Sequence, residues 1–219
     1  MTEHVAATFL PDTLPENPMT ILAAWLDEAR AAKLQPNSNA MTLATCDEHG
    51  RLSARIVLCK GLDVSAGSID FYTNYGSRKA RDIASRDRVA LVFHWDHMGR
   101  QVRIEGRAVK LPDDQNDAYF ATRPRLSQMG AWSSDQSQSI ADREALLKQF
   151  DDRNARFADP DVAIPRPPNW GGFRVTANAV ELWVEGAGRV HDRARFERAL
   201  TKTAGKFINE TWFGERLQP

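Results

Sequence analysis

Arg55-Ile-Val-Leu-Cys-Lys60, followed by Phe71-Tyr-Thr-Asn74 and Gly76-Ser-Arg-Lys79, is the stretch on which the reading of this chain turns. Arg55 to Lys60 alternates as a strand. Ile56, Leu58 and Lys60 fall on one face, Arg55, Val57 and Cys59 on the other. A second strand, Ser68 to Thr73, follows a turn bounded by Gly61 and Gly67. The chain then turns through Asn74-Tyr-Gly76, and Ser77 is placed to cap a helix running to about Ser85. Arg78 and Lys79 sit in the first turn of that helix, where positive charge opposes the helix dipole. Either residue alone reads as a solvated surface group. Together with Arg55 and Lys60 on the preceding strand, they read as a site for an anionic group at a helix start.

Outward from this stretch, the remaining elements follow from periodicity and punctuation. Asn17-Pro18 opens a helix whose Leu22, Trp25, Leu26 and Ala29 share one face. Ala40 to Cys46 is a strand, and Asp47-Glu-His-Gly50 turns it into a hairpin with the Arg55 strand. Arg88 to Trp95 and Arg100 to about Leu111 are two more strands around Gly99. Helices are expected from Pro112 to Thr122, stopped by Pro124, and from Ile140 to Phe157. Ser133 to Ser139 is a polar turn and Ile164-Pro-Arg-Pro-Pro-Asn169 an extended connector. Strands return at Phe173–Thr176, Ala179–Trp183 and Arg189–Phe196. Six or more antiparallel strands with inserted helices imply an α+β protein built on a closed or nearly closed barrel. A doubly wound parallel sheet needs regular strand–helix alternation and a glycine-rich first turn, and neither is present.

Composition narrows the function. The chain has 219 residues, formal net charge zero, 42% hydrophobic and 26% charged residues. A balanced charge argues against a nucleic-acid binder while leaving room for a local cationic pocket. No apolar run reaches signal-peptide or membrane-spanning length. Cys46 and Cys59 form no CxxC pair and read as free thiols in a reducing cytoplasm. His94 and His97 bracket Trp95-Asp96, but that spacing alone is no metal site. Residues 1–17 are expected to form a mobile segment ahead of one domain, 18–219.

Two further sets carry chemistry. Tyr119 and Arg123 are four apart at a helix end, and Ser127 follows Pro124. A phenol, a guanidinium and a hydroxyl suit a phosphate dianion, although an arginine at a helix C-terminus is also favourable by itself. Arg189, His191 and Arg193 alternate near Trp183. On a strand they would present three potential cations on one face, with Asp192 opposite, which favours an anion or an electron-rich ring there.

These pieces, with Arg123-Pro-Arg125, Ser127-Gln-Met-Gly-Ala-Trp132, Gln136-Ser137, Trp170-Gly-Gly-Phe-Arg174, Arg189-Val-His-Asp-Arg193 and Arg216-Leu-Gln-Pro219, together resemble the pyridoxamine/pyridoxine 5′-phosphate oxidase family from about Pro18 to the C-terminus. The resemblance implies an FMN-binding split β-barrel, homodimeric, with FMN at the subunit interface. It implies that Arg55, Ile56, Val57, Leu58, Cys59, Lys60, Tyr72, Thr73, Arg78 and Lys79 bind FMN, completed by Gln101, Gln136, Ser137, Trp183 and Arg193. Lys60, Tyr119, Arg123 and Ser127 would hold the phosphate of a B6 vitamer. Arg189 and His191 would lie over its pyridine ring as the catalytic pair. The implied reaction is oxidation by O2 to pyridoxal 5′-phosphate with release of H2O2. The alternatives are an FMN-dependent oxidase of a phenazine-type substrate and a flavin-binding barrel without turnover. Many family members carry an N-terminal Arg-x-x-Tyr, and residues 1–17 here contain no Arg and no Tyr.

Overall fold

The computed structural model describes residues 9–203 and 206–219. In chain order the elements begin with α1 (Met19–Ala32), β1 (Ala40–Cys46), β2 (Leu52–Leu58), β3 (Gly61–Asp63), β4 (Ser68–Asn74) and α2 (Arg78–Ser85). They continue with β5 (Arg88–Trp95), β6 (Arg100–Lys110), α3 (Asp113–Ala121), α4 (Arg125–Ser133), α5 (Arg143–Asn154) and β7 (Trp170–Val184). The last four are β8 (Asp192–Glu197), β9 (Leu200–Thr203), β10 (Lys206–Asn209) and β11 (Phe213–Leu217).

Apart from the separate β9–β10 hairpin, the strands form one curled antiparallel sheet in the order β2-β1-β5-β6-β7, and β7 then meets two partners. Its first half, Trp170 to Thr176, pairs with β4, and its second half, Ala179 to Val184, pairs with β8. Between the halves, Glu105 faces Ala179 while Gly106 faces Ala177, so Asn178 is the extra residue of a bulge. The bulge bends β7 where its neighbour changes. Gly106 is required there, since a Cβ would lie 2.6 Å from the Thr176 carbonyl oxygen. The Lys60 N–H donates to the Asp70 carbonyl at 2.8 Å, which joins the end of β2 to β4 and rounds the sheet into a barrel.

Alternation decides which side chains fill it. Met41 and Leu43 of β1, Leu91 and Phe93 of β5, Val102 and Ile104 of β6 and Val180 and Leu182 of β7 all point inward and are buried. Helix α1 closes one side with Met19, Leu22 and Leu26. Its start is as expected: the Asn17 side-chain oxygen accepts the Met19 N–H at 3.0 Å, with Pro18 in helical conformation. A smaller cluster of Phe120, Phe157, Ile164 and Trp170 fastens α3 and the 164–169 connector beside the barrel.

Four expectations need correction. Phe173–Thr176 and Ala179–Trp183 are one strand, bulged and not broken at Asn178. Pro124 stops α3 but opens α4, because its carbonyl accepts the Ser127 and Gln128 N–H groups. The helix expected from Ile140 begins at Arg143, capped by Asp142 on the Ala145 N–H. Arg189 and His191 are not on a strand. Ala187–Arg189 form a single tight turn, and β8 starts only at Asp192. Of the expected mobile segment, residues 1–8 lie outside the described residues. Leu10, in contrast, is buried, and its N–H donates to Asp192 at 2.8 Å.

Candidate active site

One cleft of about 480 Å³ opens along the outer edge of β2 and β4. Its apolar wall is Ile56, Val57 and Leu58, with Lys60 at the strand's exit. Thr73 and Lys79 stand at one end, beside Gln136. Tyr119, Arg123 and Ser127 stand at the other, beside Trp170. The structure therefore brings Lys60, Thr73 and Lys79 of one expected set and Tyr119, Arg123 and Ser127 of the other to one opening, while Arg55 and Arg78 are not in its lining.

At the first end, the Lys79 ammonium donates to Thr73 Oγ1 at 3.1 Å and to Gln136 Oε1 at 2.8 Å. No carboxylate pairs with it among the described residues. Burial, and after it the nearby Arg55 charge, pull its pKa down to about 8. Arg55 lies on the core-facing side of β2. Its guanidinium donates to the Leu43 carbonyl (3.1 Å), Thr45 Oγ1 (2.8 Å) and Ser53 Oγ (2.7 Å) and sits 3.9 Å from Asp82. Burial lowers its pKa, Asp82 opposes that shift, and Arg78 adds to it. Three cations, Arg55, Arg78 and Lys79, thus gather at this end, and of the three only Arg55 has a buried carboxylate, Asp82, close by among the described residues. Ser77 begins α2 with extended backbone, but its hydroxyl makes no cap; it lies 3.4 Å from Thr73 Oγ1. A cationic corner at an uncapped helix start fits a phosphate monoester.

At the second end, aromatic rings form a stack. Tyr72 lies 3.9 Å from Tyr119 and 5.3 Å from Trp170, nearly parallel to both. The Arg123 guanidinium sits over Trp170 at 4.6 Å, a cation–π contact that fixes its plane. Burial pushes its pKa down. Its Nη1 is buried with no hydrogen-bond partner among the described residues. A buried guanidinium nitrogen without an acceptor is costly unless a ligand supplies one. Trp170 and Asp82, which orient Arg123 and Arg55, are the residues missing from the sequence-based set. Nothing local in the sequence marks Asp82, whose partners Thr45 and Arg55 are distant in the chain.

The other expected residues lie elsewhere on the subunit. Cys59 is buried behind β2, its thiol raised to about 11, chiefly by burial. Ser137, beside Gln136, is exposed and has left-handed backbone (φ 71°). Gln101, Trp183 and Arg193 face each other in register across β6, β7 and β8. They point away from the core, since Val102, Leu182 and Ala194 fill the opposite face. Arg193 is held by Glu181, which is buried and also accepts from Arg103 at 2.9 Å. The turn bearing Arg189 and His191 lies beside this row, and His191 packs on Trp183 with ring centroids 4.6 Å apart. These five residues do not line the cleft of their own chain.

Known proteins resemble this chain in both sequence and fold. The sequence pattern of pyridoxamine 5′-phosphate oxidase matches residues 26–157, and that of the pyridoxine 5′-phosphate oxidase C-terminal dimerisation region matches residues 170–219. A pyridoxine/pyridoxamine 5′-phosphate oxidase of Cupriavidus necator is 48% identical over 185 residues, covering 84% of each chain. One from Rubrobacter xylanophilus is 43% identical over 218 residues, 99% of this chain and 94% of its own. Among solved structures, PhzG of Burkholderia lata, in complex with tetrahydrophenazine-1-carboxylic acid, superposes with a TM-score of 0.83 at 30% identity, covering 99% of this chain and 100% of its own. A pyridoxamine 5′-phosphate oxidase-related FMN-binding protein of Nostoc punctiforme shares the fold at a TM-score of 0.70 and 15% identity, covering 95% of this chain and 99% of its own. The curled sheet is thus the split β-barrel of these proteins, and the chain belongs to the pyridoxamine 5′-phosphate oxidase family.

Proposed function

We propose that this protein is an FMN-dependent oxidase of pyridoxamine 5′-phosphate or pyridoxine 5′-phosphate, acting as a homodimer in the cytoplasm. The observation that carries the reading is a cleft with an apolar wall between two cations, the half-buried Lys79 ammonium, which has no carboxylate partner among the described residues, and the Arg123 guanidinium, whose buried Nη1 has no acceptor there. Two phosphorylated, planar ligands stacked face to face would complement it. Arg55, Arg78 and Lys79, with Thr73 and Gln136, would hold the FMN phosphate. Arg123, Tyr119, Ser127 and Lys60 would hold the substrate phosphate.

FMN, held by those residues, would supply the two-electron redox chemistry by which the substrate's C4′ carbon is oxidised and O2 is reduced to H2O2. The amine substrate then ends as pyridoxal 5′-phosphate and ammonia after addition of water. The chain's own contribution is orientation. Binding the phosphate, which takes no part in the bond changes, fixes the reacting carbon without blocking it. Arg193, kept in place by buried Glu181, would tune the flavin by placing positive charge beside it. Because Gln101, Trp183, Arg189, His191 and Arg193 stand apart from the cleft on one chain, they would complete the cleft of the partner subunit. The match to a C-terminal dimerisation region supports this, as do Leu52 and Ile56, which stand exposed on the outer face of β2.

The likeness to PhzG makes a phenazine-type substrate the second reading. A paired assay separates them. The purified protein should be yellow, and with pyridoxine 5′-phosphate in air it should form aldehyde and H2O2 in equal amounts. Colour with turnover only on an unphosphorylated aromatic acid would favour the second reading. Colour with no turnover on either would favour a flavin-binding protein without catalysis.

A further inference from the structure

The loop Gly186-Ala-Gly-Arg-Val-His191 is closed on itself. The Gly186 N–H donates to His191 Nδ1 at 3.2 Å, and the Val190 N–H donates to the Ala187 carbonyl at 3.1 Å. Gly186 is packed so closely that a Cβ would fall 1.7 Å from the Val190 carbonyl oxygen. Inside this ring, Gly188 (φ 63°) and Arg189 (φ 66°) both have left-handed backbone. For a residue with a long side chain that conformation is unfavourable and persists only where its surroundings impose it. Arg189 itself is exposed and makes no ion pair among the described residues. What keeps it in its strained pose is the closure of the loop, and the side chain that closes the loop is His191.

The same bond fixes the proton on the imidazole. A nitrogen that accepts an N–H carries a lone pair, so neutral His191 bears its proton on Nε2. Among the described residues no carboxylate bonds to the ring to polarise it as in a base dyad. The neighbouring Asp192 carboxylate accepts from the Leu10 N–H and pairs with Arg216, and Glu181 is taken by Arg103 and Arg193. One ring face is packed on Trp183.

We infer that His191 is a positioning residue and not a proton acceptor: through Nδ1 it clasps the loop that presents Arg189, and through Nε2–H it offers only a donor to whatever lies over the site. Its place near the substrate rests on the oxidase reading above, but the clasp and the tautomer do not.

The test therefore uses readouts that need no turnover. In protein labelled with ¹⁵N-histidine, the His191 resonances, assigned by their loss in His191→Asn, should show Nδ1 as the unprotonated nitrogen and Nε2 as the protonated one. Hydrogen exchange at the Gly186 amide should be slow in the native protein. It should stay slow in His191→Asn, whose side-chain oxygen can take the place of Nδ1. It should be about fivefold faster in His191→Gln, whose amide reaches instead to the place of Nε2. In turnover, His191→Asn should mainly raise KM and His191→Gln mainly lower kcat. A proton on Nδ1, or equal Gly186 exchange in all three proteins, would overturn the clasp whatever the substrate proves to be. A correct tautomer and clasp with no oxidase activity would leave this inference standing and remove the reaction proposed above.

Discussion

Lys79 offers a way to test the flavin site by pH alone. Its pKa is lowered to about 8, mostly by burial and partly by Arg55, so in the free protein the ammonium loses its proton near that pH. The phosphate of FMN is already a dianion above pH 7, since its second pKa is about 6. If the charged ammonium is the form that grips phosphate, affinity must fall as pH rises through the lysine's pKa. A group with that pKa is about nine-tenths protonated at pH 7 and about one-tenth at pH 9, so the dissociation constant should rise about tenfold between the two, or about 1.4 kcal/mol. Lys79→Arg keeps its charge across the range and should bind with a flat pH profile. Lys79→Met should bind about 10- to 150-fold more weakly at pH 7, the worth of a charge-assisted hydrogen bond, again with no slope. The assay is a fluorescence titration of FMN with flavin-free protein, with riboflavin as a control that lacks the phosphate. A native profile that stays level from pH 7 to 9, or the same slope in Lys79→Arg, would refute the role given to this ammonium.

Three further outcomes are expected. Arg123→Ala should lower kcat/KM for the phosphorylated substrate by about 30- to 150-fold while FMN stays bound, as read by flavin absorbance after gel filtration; simultaneous loss of flavin would mean that the two ends of the cleft are not separate. Arg189→Ala should reduce turnover far more than flavin content, and parallel losses would count against its position over the substrate. Gly67→Ala should cost about 2 kcal/mol and lower the melting temperature by about 4–8 °C. Gly67 has φ 60°, and a Cβ there would meet the Arg198 guanidinium at 2.4 Å; an unchanged melting curve would show that this contact yields freely.

Where the sequence pattern was local and unbroken, it gave the right element. β1 and β5 match their expected bounds because Met41/Leu43/Thr45 and Val89/Leu91/Phe93 alternate without interruption between clear turns. The cationic corner was legible because Thr73, Ser77 and Lys79 lie within seven residues at a strand-to-helix turn. The errors came from signals with two meanings. Pro124 ends one helix and begins another, and only the first meaning was read. Arg189, His191 and Arg193 alternate like a strand, yet Gly186 and Gly188 just before them permit the tight turn that the chain adopts. The environment of Arg55 was out of reach, since Thr45, Ser53 and Asp82 converge on it from three elements.

The double pairing of β7 bears on how this protein can be divided. The two matched family segments are separated only by residues 158–169, which suggests a natural place to cut. Yet β7, the first element of the C-terminal segment, supplies the partner for both β6 and β4 of the N-terminal one. A fragment ending at residue 157 would leave two sheet edges bare, with the apolar barrel interior open to water. The boundary visible in family patterns is therefore one of evolutionary bookkeeping, and expression of either piece by itself should yield aggregate, not half an enzyme.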